Sequence, residues 1–79
     1  MKDFKVCIKT IDNAKSFVTL ASRQDFDIDI ASGRYIVDAK SIMGIFSLDL
    51  SKETKIICYC DDDRKVEGFK ELVSNIVVK

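Results

Sequence analysis

Three short stretches carry residue types that can do chemistry: "DFDIDI" with Asp25, Asp27 and Asp29, "CYC" with Cys58 and Cys60, and "KSIMG", where Ser41 precedes a dense apolar run. Three carboxylates at alternate positions raise the possibility of a cation site. Alternate residues of a strand stand about 6.5 Å apart on one face, and nothing else in the chain converges on these three, so they read as a solvated face. The two thiols of Cys58-x-Cys60 lie side by side on a strand, but Cys7 belongs to a different, lysine-bearing face and should point to solvent. The chain contains 0 histidines, which removes the commonest metal ligand and the usual proton shuttle at neutral pH. A zinc set is therefore incomplete. We expect no metal, no cofactor and no catalytic residues, and the protein is not read as an enzyme. Ser41 is left as the hydroxyl to explain.

The elements around these residues follow from hydrophobic period. "FKVCIK" alternates Phe4, Val6 and Ile8 against Lys5, Cys7 and Lys9, which predicts a half-buried strand. "IDNAKSFVTLAS" places Ala14, Phe17, Val18 and Ala21 on one helical stripe, with Asp12 or Asn13 as the cap. "DFDIDI" is a strand with Phe26, Ile28 and Ile30 inward. "ASGR" turns through Gly33, and "YIVDA" returns as the second half of a hairpin. "SIMGIFSL" is a short helix capped by Ser41. "KIICYC" is a strand with Ile56, Cys58 and Cys60 on one face. "DDDRKVEGFKELVSNIVV" closes the chain as a helix whose stripe is Val66, Phe69, Leu72, Val73 and Ile76, with Asp61 to Asp63 at its positive end. The order β-α-β-β-α-β-α, with one wet face per strand, predicts an α+β open-faced sandwich: a four-stranded antiparallel sheet with its helices on one face.

The bulk composition fits one small domain spanning residues 1–79. Lys plus Arg and Asp plus Glu both number 13, so no net field draws the chain to nucleic acid or an acidic membrane. Lys5 and Lys9 make at most a thin basic strip without aromatic interleaving, so no nucleic-acid partner is expected. No apolar run approaches a membrane span. Three cysteines, an odd count, and an amino terminus that alternates charge with hydrophobe point to a cytoplasmic location.

Within the short helix, Ile42, Met43, Ile45, Phe46 and Leu48 wrap too far around the circumference to be buried together. Ile45 and Leu48 form the expected core pair, with Ile42 on the same stripe. Met43 and Phe46 form an adjacent stripe that can remain exposed as a docking surface.

"VDAKSIMGIFSLDL" resembles the corresponding strand–turn–helix segment of HPr, the small phosphocarrier of the bacterial sugar phosphotransferase system. "FVTLASRQDFDIDI" resembles that family's first helix leading into its second strand. The resemblance covers nearly the whole chain and implies the sandwich fold and two sites. At the first, family members carry a phosphoryl group on a histidine at the start of the first helix, followed by an arginine and a proline. The matching stretch here is "KTIDNAKSF", with none of the three, and Thr10 or Asp12 falls nearest the histidine position. At the second, a serine before the short helix is a regulatory phosphorylation site, also in the histidine-less catabolite-repression HPr. Ser41 matches it, with Lys40, Ile42, Met43 and Phe46 as the partner-binding residues around it.

The chemistry separates the two. Phosphorylated imidazole is labile enough to pass its group on. A threonine ester at Thr10 is too stable for that, and Asp12 lacks a guanidinium clamp, for which Lys15 is a poor substitute. We therefore expect an HPr-like protein-binding, regulatory module that has lost histidine phosphoryl transfer and is controlled through Ser41. Its partner would be a transcription regulator, a kinase or a phosphotransferase-system component, and it would be a monomer or weak dimer. Two alternatives stay open: a degenerate phosphocarrier using a non-histidine acceptor, and a structural domain in which Ser41 only caps its helix.

Overall fold

The computed structural model describes residues 2–78, so Met1 and Lys79, the ends of the 1–79 reading, lie outside the described residues. In chain order the elements are β1 (Lys2–Val6), α1 (Ile11–Ser22), β2 (Asp27–Ser32), β3 (Tyr35–Asp38), α2 (Ile42–Phe46), β4 (Thr54–Tyr59) and α3 (Asp63–Leu72). The four strands form one antiparallel sheet in the order β1-β4-β2-β3. The order of elements, the sheet and the packing of helices against one face are those that the hydrophobic period predicts.

Alternation sorts each strand into a core face and a wet face. Phe4 and Val6, Ile28 and Ile30, and Ile56 and Cys58 are buried, whereas Lys5, Asp27, Lys55 and Tyr59 are exposed. The helices cover the apolar face with Ala14, Phe17 and Ala21 from α1, Ile45 from α2, and Val66 and Phe69 from α3. Phe69 is the hub, its ring 6.3 Å from Phe4, 5.8 Å from Phe17 and 6.5 Å from Phe26. The β2–β3 hairpin turns through Gly33 and Arg34, and Gly33 takes φ +58, a left-handed conformation that costs glycine little.

Four local expectations need correction. The first strand ends at Val6, and Lys9 has φ +71. Thr10 N donates to Ile8 O (2.9 Å) around it, which is a three-residue turn of the strained γ type. Lys9 therefore is not part of a strip with Lys5. The cap of α1 is Thr10, not Asp12 or Asn13: Thr10 is extended (φ −123, ψ 158) and its Oγ1 accepts from Asn13 N at 3.1 Å.

The last helix stops at Leu72, and Leu72 is exposed instead of joining the stripe. Beyond it the chain descends through short-range turns, Ile76 N to Val73 O and Val77 N to Ser74 O. The outer edge of β1 competes for this segment: Cys7 N donates to Ile76 O (2.8 Å), Val78 N to Lys5 O (2.9 Å), and Val6 bridges Val77. Finally, Asp25 precedes β2 and does not share its wet face. It bonds Lys65 of α3 at 2.8 Å, on the helical side of the molecule.

Candidate functional site

The residues singled out for function lie along the paired helices α1 and α2. Lys40 Nζ donates to Gln24 O (3.1 Å), just past the C-terminal end of α1. The chain leaving α2 touches the other end of α1, where Lys9 N donates to Leu50 O at 2.8 Å and Cys7 Sγ lies 3.7 Å from Ser51 O. The short helix thus runs antiparallel beside α1. Ser41 and Thr10 stand at opposite ends of that helix, which is about 18 Å long for twelve residues. The structure does not bring the two sites together.

At the start of α1, Thr10 is the residue immediately before the helix, and Asp12 lies in its exposed first turn. Thr10 is held by the turn at Lys9 and by its own capping bond. Asn13 adds a second restraint, with Nδ2 donating to Ile8 O at 2.8 Å. Sequence reasoning offered Asn13 only as a cap and missed its side-chain bond to Ile8 O and the turn at Lys9. A threonine three residues ahead of an asparagine before an apolar stripe was the available signal for the cap. No signal in the sequence reveals a left-handed lysine. This end of the helix offers a hydroxyl on Thr10 and a carboxylate on Asp12, and no ring nitrogen.

At α2, Ser41 is the cap. Its backbone is extended (φ −107, ψ 112), its Oγ accepts from Gly44 N at 3.3 Å, and its carbonyl accepts from Ile45 N. Asp38 prepares this turn, accepting Lys40 N on its carboxylate at 2.9 Å and Ser41 N on its carbonyl at 3.1 Å. Of the apolar run, Ile45 and Leu48 are buried and Ile42 is half-buried. Met43 is 76% exposed and Phe46 41%. These two side chains are one turn apart on the surface, and Ile11, at 58%, is a further exposed apolar residue at the start of α1. Lys40 differs from them: it is half-buried and its ammonium is engaged by the Gln24 carbonyl.

The remaining candidate chemistry resolves into pairs. Asp29 accepts from the Tyr59 hydroxyl at 3.0 Å, which holds that phenol above its usual range. All three thiols are free. Burial, reinforced by neighbouring Cys60, pushes Cys58 up to about 11. Cys7 and Cys60 are half-buried, Cys7 so because the loop after α2 covers it. Among the described residues no group of three His, Cys, Asp or Glu side chains is placed to hold a metal ion, and no helix is long and apolar enough to cross a membrane.

Comparison with known proteins addresses the family. The family model PTS-HPr, described as the PTS HPr component phosphorylation site, matches residues 11–76. A search of curated proteins finds no match. Among solved structures, HPr-C-His from Thermoanaerobacter tengcongensis is 29% identical with a TM-score of 0.78, covering 95% of this chain and 93% of that one. The phosphocarrier protein HPr from Bacillus anthracis is likewise 29% identical over 95% and 93%, with a TM-score of 0.70. The catabolite-repression protein CRH of Bacillus subtilis, a dimer with a swapped domain, is 27% identical over 94% and 88%, with a TM-score of 0.66. HPr proteins are phosphocarriers, and this chain shares their sheet order, their helices and the model that describes them: it belongs to the PTS-HPr family.

Proposed function

We propose that this HPr-family protein acts by binding a partner protein rather than by relaying phosphate. The observation that carries the reading is that Thr10, not a histidine, stands before α1, while α2 displays Met43 and Phe46 beside a serine cap. The partner-binding residues are Met43 and Phe46, with Ile42 and Lys40 bordering them. Thr10 and Asp12 are the degenerate remnant of a carrier site. Methionine and phenylalanine on a short rigid helix suit docking, because they supply apolar area and, in methionine, adaptability.

Ser41 is the regulatory position in this proposal. The first amides of a helix have no intrahelical acceptor, so a phosphate on Ser41 would meet the N–H groups of Ile42, Met43 and Gly44. Two negative charges at that end are also favoured by the helix dipole. A serine phosphate is a stable ester, suited to marking the docking face. The partner classes remain a transcription regulator, a kinase or another phosphotransferase-system protein.

Labelling with a serine kinase tests this. Acid-stable phosphate should appear on Ser41 and disappear in Ser41→Asn, which keeps a side-chain acceptor for the cap and so keeps the fold. Label distributed over other serines, or unchanged in that variant, would remove Ser41 from the account.

A further inference from the structure

The two edges of the sheet are treated differently. The outer edge of β1 is covered by the chain's own segment from Ile76 to Val78. The outer edge at β3 has no covering strand among the described residues, and its first two side chains, Tyr35 and Ile36, are 71% and 64% exposed.

The hydrogen-bond phase of that edge can be read from the hairpin. Ala39 N donates to Ile28 O at 2.9 Å, so Ala39 faces β2 with its backbone groups. Antiparallel pairs alternate between bonded and non-bonded. With Asp29 opposite Asp38, Ile30 opposite Val37, Ala31 opposite Ile36 and Ser32 opposite Tyr35, the bonded residues are Val37 and Tyr35. Ile36 therefore turns its N–H and C=O outward, away from β2. Its side chain lies on the wet face with Ala31, opposite the side covered by helices.

A second copy of β3 fits this edge. An antiparallel pairing with its two-fold axis at Ile36 makes Ile36 its own partner through both outward backbone groups. Arg34 lies in the hairpin turn just before β3 and Asp38 ends the strand, so the same register brings the turn of each copy, with its guanidinium, near the Asp38 carboxylate of the other, and the flanking charges are complementary. We propose that the open edge of β3 is a homodimer interface, joining two sheets into one through reciprocal Ile36 hydrogen bonds and two Arg34–Asp38 pairs. Strands of four residues bury far less than the ~1,200 Å² of a stable complex, so the dimer is weak and concentration-dependent. Ile36 lies on the other face of the sheet from the docking side chains of α2, and only Asp38 is common to both, since its carboxylate also accepts Lys40 N in the turn before Ser41.

Sedimentation equilibrium from micromolar to millimolar protein, combined with cross-linking, tests it. Ile36→Lys should weaken dimerisation at least about tenfold without altering the circular dichroism of the monomer, since the residue is exposed; edge lysines oppose pairing. Arg34→Asp and Asp38→Arg should each weaken it, and the double variant should recover it. With Cys7 and Cys60 changed to serine, Ile36→Cys should oxidise to an inter-chain disulfide at least about tenfold faster than Tyr35→Cys, because bonded pairs bring Cα atoms to ~5.5 Å, within disulfide reach. A chain monomeric throughout the range, a dimer indifferent to Ile36→Lys, or equal oxidation at the two positions would overturn the proposal.

Discussion

Gly44 backs directly onto Val37: a Cβ added at Gly44 would lie 3.3 Å from Val37 Cβ and 3.6 Å from Ser41 Oγ. This contact explains a glycine inside an apolar five-residue helix, since it lets α2 approach β3 closely enough to seat Ile45 in the core. Gly44→Ala should therefore lose its usual helix-propensity advantage of up to ~1 kcal/mol to crowding and come out destabilised by about 1 kcal/mol. Val37→Gly in the same chain removes the Cβ that the new methyl meets and should relieve the clash, giving a favourable coupling in a double-mutant cycle measured by urea denaturation. Independent, additive effects would show that the two do not press on each other.

The two caps should separate structure from signalling. Thr10→Ala and Ser41→Ala each remove a side-chain acceptor and should each cost about 1 kcal/mol in thermal or chemical unfolding. Ser41→Asp should retain stability, because aspartate caps as well as serine does. Any change in partner binding by that variant then reports the added charge rather than a loosened helix.

Thr54 offers a stabilising change. It is buried on the core face of β4, and its hydroxyl has no hydrogen-bond partner. Thr54→Val keeps the shape and removes the unsatisfied oxygen, so stability should rise by about 1 kcal/mol. A loss on urea unfolding would mean that the hydroxyl is satisfied in solution.

The bridge between Asp25 and Lys65 should make stability depend on acid. The hydrogen bond and charge of Lys65 lower the Asp25 pKa below the ordinary 3.8, and Asp25 raises that of Lys65 above 10.5. The depressed carboxylate contributes stability above its unfolded-state value, and that contribution is lost as pH falls through the lowered pKa. The raised ammonium contributes below its unfolded-state value and loses it above 10.5. Asp25→Asn should therefore be less stable than wild type at neutral pH, with the gap closing as pH drops below 3.8. Both groups are exposed, so the gap should be small and shrink with salt. A gap constant with pH would assign the effect to something other than charge.

Much of this architecture was legible in the sequence. Wherever one face is buried and one is wet, period alone identifies the element, as Ile28 and Ile30 against Asp27 do for β2. Ser41 is read correctly as the cap of α2, because a hydroxyl immediately before an apolar run is a common helix start. The failures arise where a distant partner decides. Val73 and Ile76 continue the stripe of α3 and are indeed buried, yet the edge of β1 captures the backbone beyond Leu72 and ends the helix. Likewise Asp25 matches the alternation of Asp27 and Asp29, but α3 offers it Lys65. Thr10 outcompetes Asp12 and Asn13 as cap because the turn at Lys9 presents it in extended conformation. Exposure of Met43 and Phe46 follows from geometry on a helix too short to bury every hydrophobe.

We propose that this chain, with 0 histidines and Thr10 or Asp12 nearest the position of a phosphocarrier's imidazole, does not pass phosphate on. Incubation with the upstream phosphotransferase enzyme and labelled phosphoenolpyruvate, followed by a sugar permease subunit as acceptor, measures this directly. The account predicts no label on residues 10–13 and none delivered to the subunit; acid-labile phosphate on Asp12 that moves to the permease would contradict it.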